Sequence, residues 1–196
     1  KDFEAVKQYT SQVIGYNKTN LDTRESFFGP SPFVDYIHSI QLAATGADIS
    51  FAAPLSFDAA IPAGPIKMAD LFNLYKYENQ LLVLQLSGQE IKRYLEESYS
   101  IWTNQMQSPA DHILLFRPDF EKALEPWQRL QYSSYNFDSA AGLNYTVDVR
   151  KPKGEKVTIL SMADGTAFDL QKQYRVAVNS YRANGGGAVS YTHLTL

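Results

Sequence analysis

Hydrophobic and polar positions follow two different periods along this chain. Residues 1–10, KDFEAVKQYT, have helical composition and spacing, and QVIGY (12–16) reads as a short strand. The polar stretch NKTNLDTRES is loop-like and carries Arg24 and Glu25. The clearest helix lies in GPSPFVDYIHSIQLAATGAD. Ser31 suits its N-cap, Pro32 its first helical position and Gly46 its stop. Phe33, Ile37, Ile40 and Ala44 recur at three-to-four spacing and predict its apolar face. DISFAAP (48–54) reads as a buried strand ended by Pro54, KMADLFNLY (67–75) as a short helix, and QLLVLQL (80–86) as a strand closed by Ser87-Gly88. SGQEIKRYLEESYSIW predicts a second amphipathic helix with Ile91, Leu95 and Tyr99 on one face.

Pro109, Pro118 and Pro126 break residues 103–131 into an irregular excursion with some helix. After it the period changes. LNYTVDVR (143–150) alternates Leu143, Tyr145, Val147 and Val149, as a half-buried strand does. KPKGEK turns the chain, VTILSM (157–162) is a second strand, ADGT a second turn, and YRVAVNSY (174–181) a third strand running into glycines. Helices dominate the first half and strands the second, which predicts an α+β domain.

The chain has 196 residues, enough for one domain with a sizeable core. Its net charge of -3 argues against nucleic-acid binding, which needs a basic face. No apolar run approaches membrane-spanning length, and the absence of Cys excludes disulfides, thiolate metal sites and a Cys nucleophile.

Signals for bond-making chemistry are missing. His38, His112 and His193 lie far apart, and His38 is expected at a helix surface or core edge. No HExxH, GxSxG or P-loop pattern occurs, and NGGG does not match GxGxxG. Binding signals are better. Tyr75, Tyr77 and Asn79 stand between a helix and a strand, where aromatic rings beside an amide suit stacking on and hydrogen bonding to a planar ligand. Tyr181 opens a second such loop, whose glycines permit close backbone approach. From the residues alone, an interfacial turn and an ordinary glycine turn explain the same two stretches.

Three stretches, GADISFAAPLSFDAAIPAGPIKMADLFNLYKYENQLLVLQLSGQEIKRYLEES, FDSAAGLNYTVDVRKPKGEKVTILSMADGTAFD and YRVAVNSYRANGGG, resemble in order and spacing the C-terminal domain of the 5'-nucleotidase family. The likeness leans to its 2',3'-cyclic-nucleotide phosphodiesterase/3'-nucleotidase branch and covers roughly residues 20–187. The resemblance implies a four-layer α/β/β/α domain that binds the nucleoside part of a nucleotide. It implies that Tyr77 and Tyr181 sandwich the base, that Asn79 and Asn184 flank them, and that Arg24 of TRES faces the phosphate or ribose side. Two departures stand out. AAPLSFD (52–58) replaces a loop that in many relatives carries Asn and Arg, and Gly187 replaces an Asp.

The family's chemistry sits in a separate N-terminal metallophosphoesterase domain, where two divalent metal ions activate a water. None of its motifs occurs here, so the resemblance implies a chain without cofactor or catalytic group of its own, joined to that domain. It implies a periplasmic, extracellular or cell-surface protein whose ligand is a nucleotide or nucleoside. Two other readings stay open: a structural or hinge module with a decayed pocket, and a binder of another planar or sugar ligand. VSYTHLTL (189–196) is similar to the translation of a transposon-end adapter used in DNA library preparation. The expectation is therefore a domain over 1–188, cut short at its C-terminal end, with a non-native tail in which His193 has no role.

Overall fold

The computed structural model describes residues 2–75 and 77–186. Its framework is a four-stranded sheet in the order β6-β10-β3-β7, formed by β3 (Ile49–Ala52), β6 (Leu81–Ser87), β7 (Ser139–Ala141) and β10 (Gln173–Asn179). β10 runs parallel to β3 and antiparallel to β6, with Val176 opposite both Ile49 and Leu84. Three two-stranded ribbons surround the sheet. They pair β1 (Val13–Asn17) with β5 (Gly64–Lys67), β2 (Leu21–Asp22) with β4 (Ala60–Ile61), and β8 (Leu143–Val147) with β9 (Val157–Met162). The class is α+β, as the periodicity predicts. Strands are not confined to the second half, however: β1 to β6 all precede residue 90, and the central sheet draws on both halves.

The short strand β3 is buried at all four positions and divides two cores. Ile49 and Phe51 join Ile91, Tyr94, Leu95 and Tyr99 of α4 (Gly88–Trp102) in the larger core. Phe51 and Tyr94 stack with centroids 4.3 Å apart. Ala52 joins Phe33 and Val34 of α2 (Pro32–Thr45), with Leu21 and Ile61, in the smaller core. Side chains alternate across a strand, so α2 and α4 cover opposite faces of the sheet. The β8–β9 ribbon lies against α4, whose buried Glu96 carboxylate accepts the backbone N–H of Lys156 at 2.9 Å and of Val157 at 2.8 Å.

Both long helices begin and end where the sequence predicts. Ser31 Oγ accepts from Val34 N, and Gly46 closes α2 at φ 60°, a left-handed geometry that suits glycine. Ser87 and Glu90 form a reciprocal capping box at α4. Ile91, Leu95 and Tyr99 are buried as expected. The inward face of α2 differs from the predicted one. Phe33, Val34, His38 and Gln41 face inward, whereas Ile40 and Ala44 are exposed. The helix turns two polar residues to the sheet because hydroxyls meet them there. His38 Nδ1 lies 2.9 Å from Ser50 Oγ, His38 Nε2 3.1 Å from Ser139 Oγ, and Ser50 Oγ donates to Gln41 Oε1 at 2.6 Å. His38 is thus deeply buried, not at a helix surface or core edge.

The remaining helices are α1 (Asp2–Thr10), which buries no residue, and α3 (Met68–Leu74) before β6. A further difference from the sequence reading concerns Tyr181. The strand stops at Asn179, and Ser180–Ala183 form a single helical turn, α5. Residues 103–131 are irregular as expected, with two 3-10 turns and bridges pairing Thr103 with Leu114 and Phe116 with Leu130. The expectation of a non-native tail over 189–196, with Gly187 and His193, lies outside the described residues.

Candidate functional site

At one end of the central sheet the loop after α3 meets the turn after β10. Backbone and side-chain bonds sew them together. Ser180 N donates to Gln80 O at 2.8 Å, Gln80 N donates to Ser180 Oγ at 3.0 Å, and Ser180 Oγ reaches Asn79 Oδ1 at 3.4 Å. Tyr75 Oη accepts from the amides of Asn79 at 3.0 Å and Asn179 at 3.4 Å. Asn179 also caps α5, its Oδ1 accepting from Arg182 N. These bonds place Tyr77 and Tyr181 on the same rim.

A third ring completes that rim. Tyr135 rises from a 3-10 turn, Ser134–Asn136, that follows the irregular excursion. It meets Tyr77 edge-on at 6.3 Å between centroids and Tyr181 edge-on at 6.4 Å. Such geometry suits the ring quadrupoles. Each of the three tyrosines keeps about two fifths of its surface exposed. Together with Leu55, Glu78, Asn79 and Asn179 they line a cavity of about 350 Å³. Its size falls in the range of small-molecule pockets. Leu55, Tyr77 and Tyr135 also form the shared wall of an adjoining chamber of about 400 Å³, reached by Asp58, Arg117 and Trp127.

Arg182 fixes the geometry from below. Its side chain is 2% exposed and pairs with the buried Asp138, Nε lying 2.7 Å from Oδ2. The same guanidinium donates to Asn136 Oδ1, to the carbonyls of Tyr135 and Gly186, and to Asp138 Oδ1. It lies 5.5 Å from the centroid of the Tyr181 ring. One cation therefore ties the Tyr135 turn to the Tyr181 turn. The glycines beyond α5 have a steric role. Gly185 takes φ 79°, and a Cβ on Gly186 would come within 2.5 Å of the Tyr181 ring.

Of the residues expected to form the site, the structure brings together Tyr77, Tyr181 and Asn79. Asn184 is the exposed C-cap of α5 and does not line the cavity. Arg24 lies over the Phe57 ring at 5.9 Å and lines neither chamber, although Phe57 lines the adjoining one. Tyr135 and Arg182 escaped the sequence reading. A doubled tyrosine in the polar stretch QYSSYN was the available signal for Tyr135; Arg182 beside a loop aromatic gave none. Among the described residues no three His, Cys, Asp or Glu side chains converge as a metal site requires. His112 packs with Phe116 and Phe120 in the excursion.

The model of the 5'-nucleotidase C-terminal domain family matches residues 8–195. The chain is 29% identical over 146 residues to the trifunctional nucleotide phosphoesterase protein YfkN of Bacillus subtilis, covering 69% of this chain and 9% of that protein. It is 27% identical over 218 residues to the 2',3'-cyclic-nucleotide 2'-phosphodiesterase/3'-nucleotidase of Yersinia enterocolitica, covering 94% of this chain and 32% of the relative. The crystal structure of a 5'-nucleotidase precursor from Thermus thermophilus superposes with a TM-score of 0.70 at 26% identity, over 93% of this chain and 32% of that one. The chain thus spans a third or less of these relatives' length. With the family model matching nearly all of it, and the fold shared with a solved nucleotidase, the chain belongs to the 5'-nucleotidase C-terminal domain family.

Proposed function

We propose that this chain is the substrate-binding domain of a nucleotidase or cyclic-nucleotide phosphodiesterase and holds the nucleoside base at the tyrosine rim. The observation that supports the reading most is the convergence of Tyr77, Tyr135 and Tyr181, from three distant segments, on one cavity. A base stacks on such exposed rings without needing a specific hydrogen-bond pattern, and the amides of Asn79 and Asn179 line the same cavity. Among the described residues no helix is long and apolar enough to cross a membrane. We place the protein in the periplasm, at the cell surface or outside the cell, as its resemblance implies.

Bond cleavage belongs to a linked N-terminal metallophosphoesterase domain, where two divalent metal ions would supply the activated water. This chain's own residues bind and orient. Each stacked face is worth about 1–3 kcal/mol by alanine substitution in single-strand nucleic-acid binders, so the rim alone binds weakly. Calorimetric titration of adenosine, AMP and cyclic AMP tests the reading. Tyr77→Ala and Tyr181→Ala should each weaken binding about fivefold to a hundredfold. Unchanged affinity in both variants sinks it, and tighter binding of sugars than of nucleosides favours a carbohydrate site instead.

A further inference from the structure

The metal ions of the linked domain would meet a nucleotide's phosphate from one side, and a cation on this chain beside the tyrosine rim would let the domain itself tell a nucleotide from a nucleoside. The tyrosine cavity itself offers none. Its charged lining residue is Glu78, which repels an anion, and Arg182 behind the ring is committed to Asp138. The adjoining chamber shares the wall of Leu55, Tyr77 and Tyr135. Among the described residues that line either chamber, Arg117 is the one cationic side chain.

Arg117 is well placed for this work. Its backbone is held on both sides of the excursion: its N–H donates to Arg129 O at 3.0 Å, and its carbonyl accepts from Phe120 N at 3.1 Å. The neighbouring bridge between Phe116 and the buried Leu130 anchors the segment to the core. The side chain is exposed, and its guanidinium enters no salt bridge among the described residues. A planar fork of donors without an internal acceptor suits a phosphate, which it grips with two parallel bonds. Trp127 borders the same chamber with an exposed ring, and Asp58 sets an opposing charge on its wall.

We infer that Arg117 is the phosphate-binding residue of this domain, reading the anionic end of a nucleotide whose base occupies the tyrosine rim. The inference rests on the base-binding proposal and assigns to the excursion a role that the resemblance gave to Arg24. The preference of the domain for nucleotide over nucleoside then resides in Arg117.

The test titrates AMP and adenosine in parallel into the full chain and its variants. Arg117→Gln should weaken AMP binding about tenfold and leave adenosine unchanged, because only AMP carries the anion. Arg117→Lys should recover part of the loss, and Asp58→Asn should tighten AMP. Raising salt should weaken AMP binding by the parent chain and have little effect on Arg117→Gln. An AMP-to-adenosine affinity ratio that does not move in Arg117→Gln overturns the assignment, as does an equal loss for both ligands. The base site is scored separately, by adenosine binding to Tyr77→Ala and Tyr181→Ala. Indifference there removes the base site, and this inference with it.

Discussion

At the scale of single residues, the Arg182–Asp138 pair shows how a buried charge earns its place. Desolvating an ion pair costs several kcal/mol, and that cost is offset only when the remaining donors and acceptors are satisfied. Here the guanidinium reaches two carboxylate oxygens, an amide oxygen and two backbone carbonyls, while Tyr94 Oη donates to Asp138. Arg182→Met should lower the unfolding free energy by about 3–5 kcal/mol, measured by urea denaturation, because the buried Asp138 carboxylate loses its counter-charge. R182M/D138L should cost much less than R182M. If the two lose equal stability, the pair is not what holds the turns together. Sequence showed Tyr77 and Tyr181 because each is an aromatic at a strand end, beside an Asn or a run of glycines, in stretches that carry the family resemblance. It hid Tyr135, which follows a segment with no period, and Arg182, because an Arg in a polar loop looks solvated until the tertiary fold surrounds it.

At the scale of elements, the ends of α2 and α4 were legible to the residue because their caps mark them, whereas periodicity gave the buried face of α4 but not that of α2. The strands β2, β4, β5 and β7 were not legible. They are two to four residues long, too short to display an alternation, and exist because distant partners complete their ladders. The seam between α4 and the β8–β9 ribbon depends similarly on distant contacts. Glu96 accepts two backbone N–H groups of β9's start, and the Lys156 ammonium donates to the carbonyls of Thr103 and Asn104. Burial pushes the Lys156 ammonium below the usual Lys value, against the attraction of Glu96. Glu96→Ala strands both N–H groups, and should cost about 2–5 kcal/mol in unfolding free energy. Amide exchange at Lys156 and Val157 should quicken in the same variant; protection equal to the parent's would show that the carboxylate does not hold the ribbon.

At the scale of the whole molecule, His38 joins α2 to both β3 and β7 and makes stability depend on pH. Ser50 Oγ–H is given to Gln41, so the ring donates from Nδ1 to Ser50 and, neutral, keeps Nε2 as an acceptor; the single Ser139 hydroxyl proton lies between that nitrogen at 3.1 Å and Ala52 O at 3.3 Å. Burial lowers its pKa to about 4. The folded state therefore binds the proton more weakly than the unfolded chain, whose His titrates near 6.5. Its full contribution is present above that value and declines as pH falls from 6.5 towards 4. The loss reaches about 3 kcal/mol for the single group. Asp35, whose carboxyl burial raises, works in the opposite direction, so the comparison must be between the parent chain and His38→Gln. Denaturant midpoints measured between pH 7 and pH 4 should fall more steeply in the parent; parallel profiles would remove His38 from this role.

The order of the central sheet bears on how the chain is made. β10 comes late in the sequence yet fills the slot between β6 and β3. While a ribosome is still producing the excursion and the β8–β9 ribbon, β6 waits without its strand partner and β3 with its β10 edge unpaired, and Leu82, Leu84 and Phe51 lack their final neighbours. Open edges of this kind recruit other chains. These edges therefore stay open until β10 emerges, and the same few residues that carry Tyr181 to the rim close them.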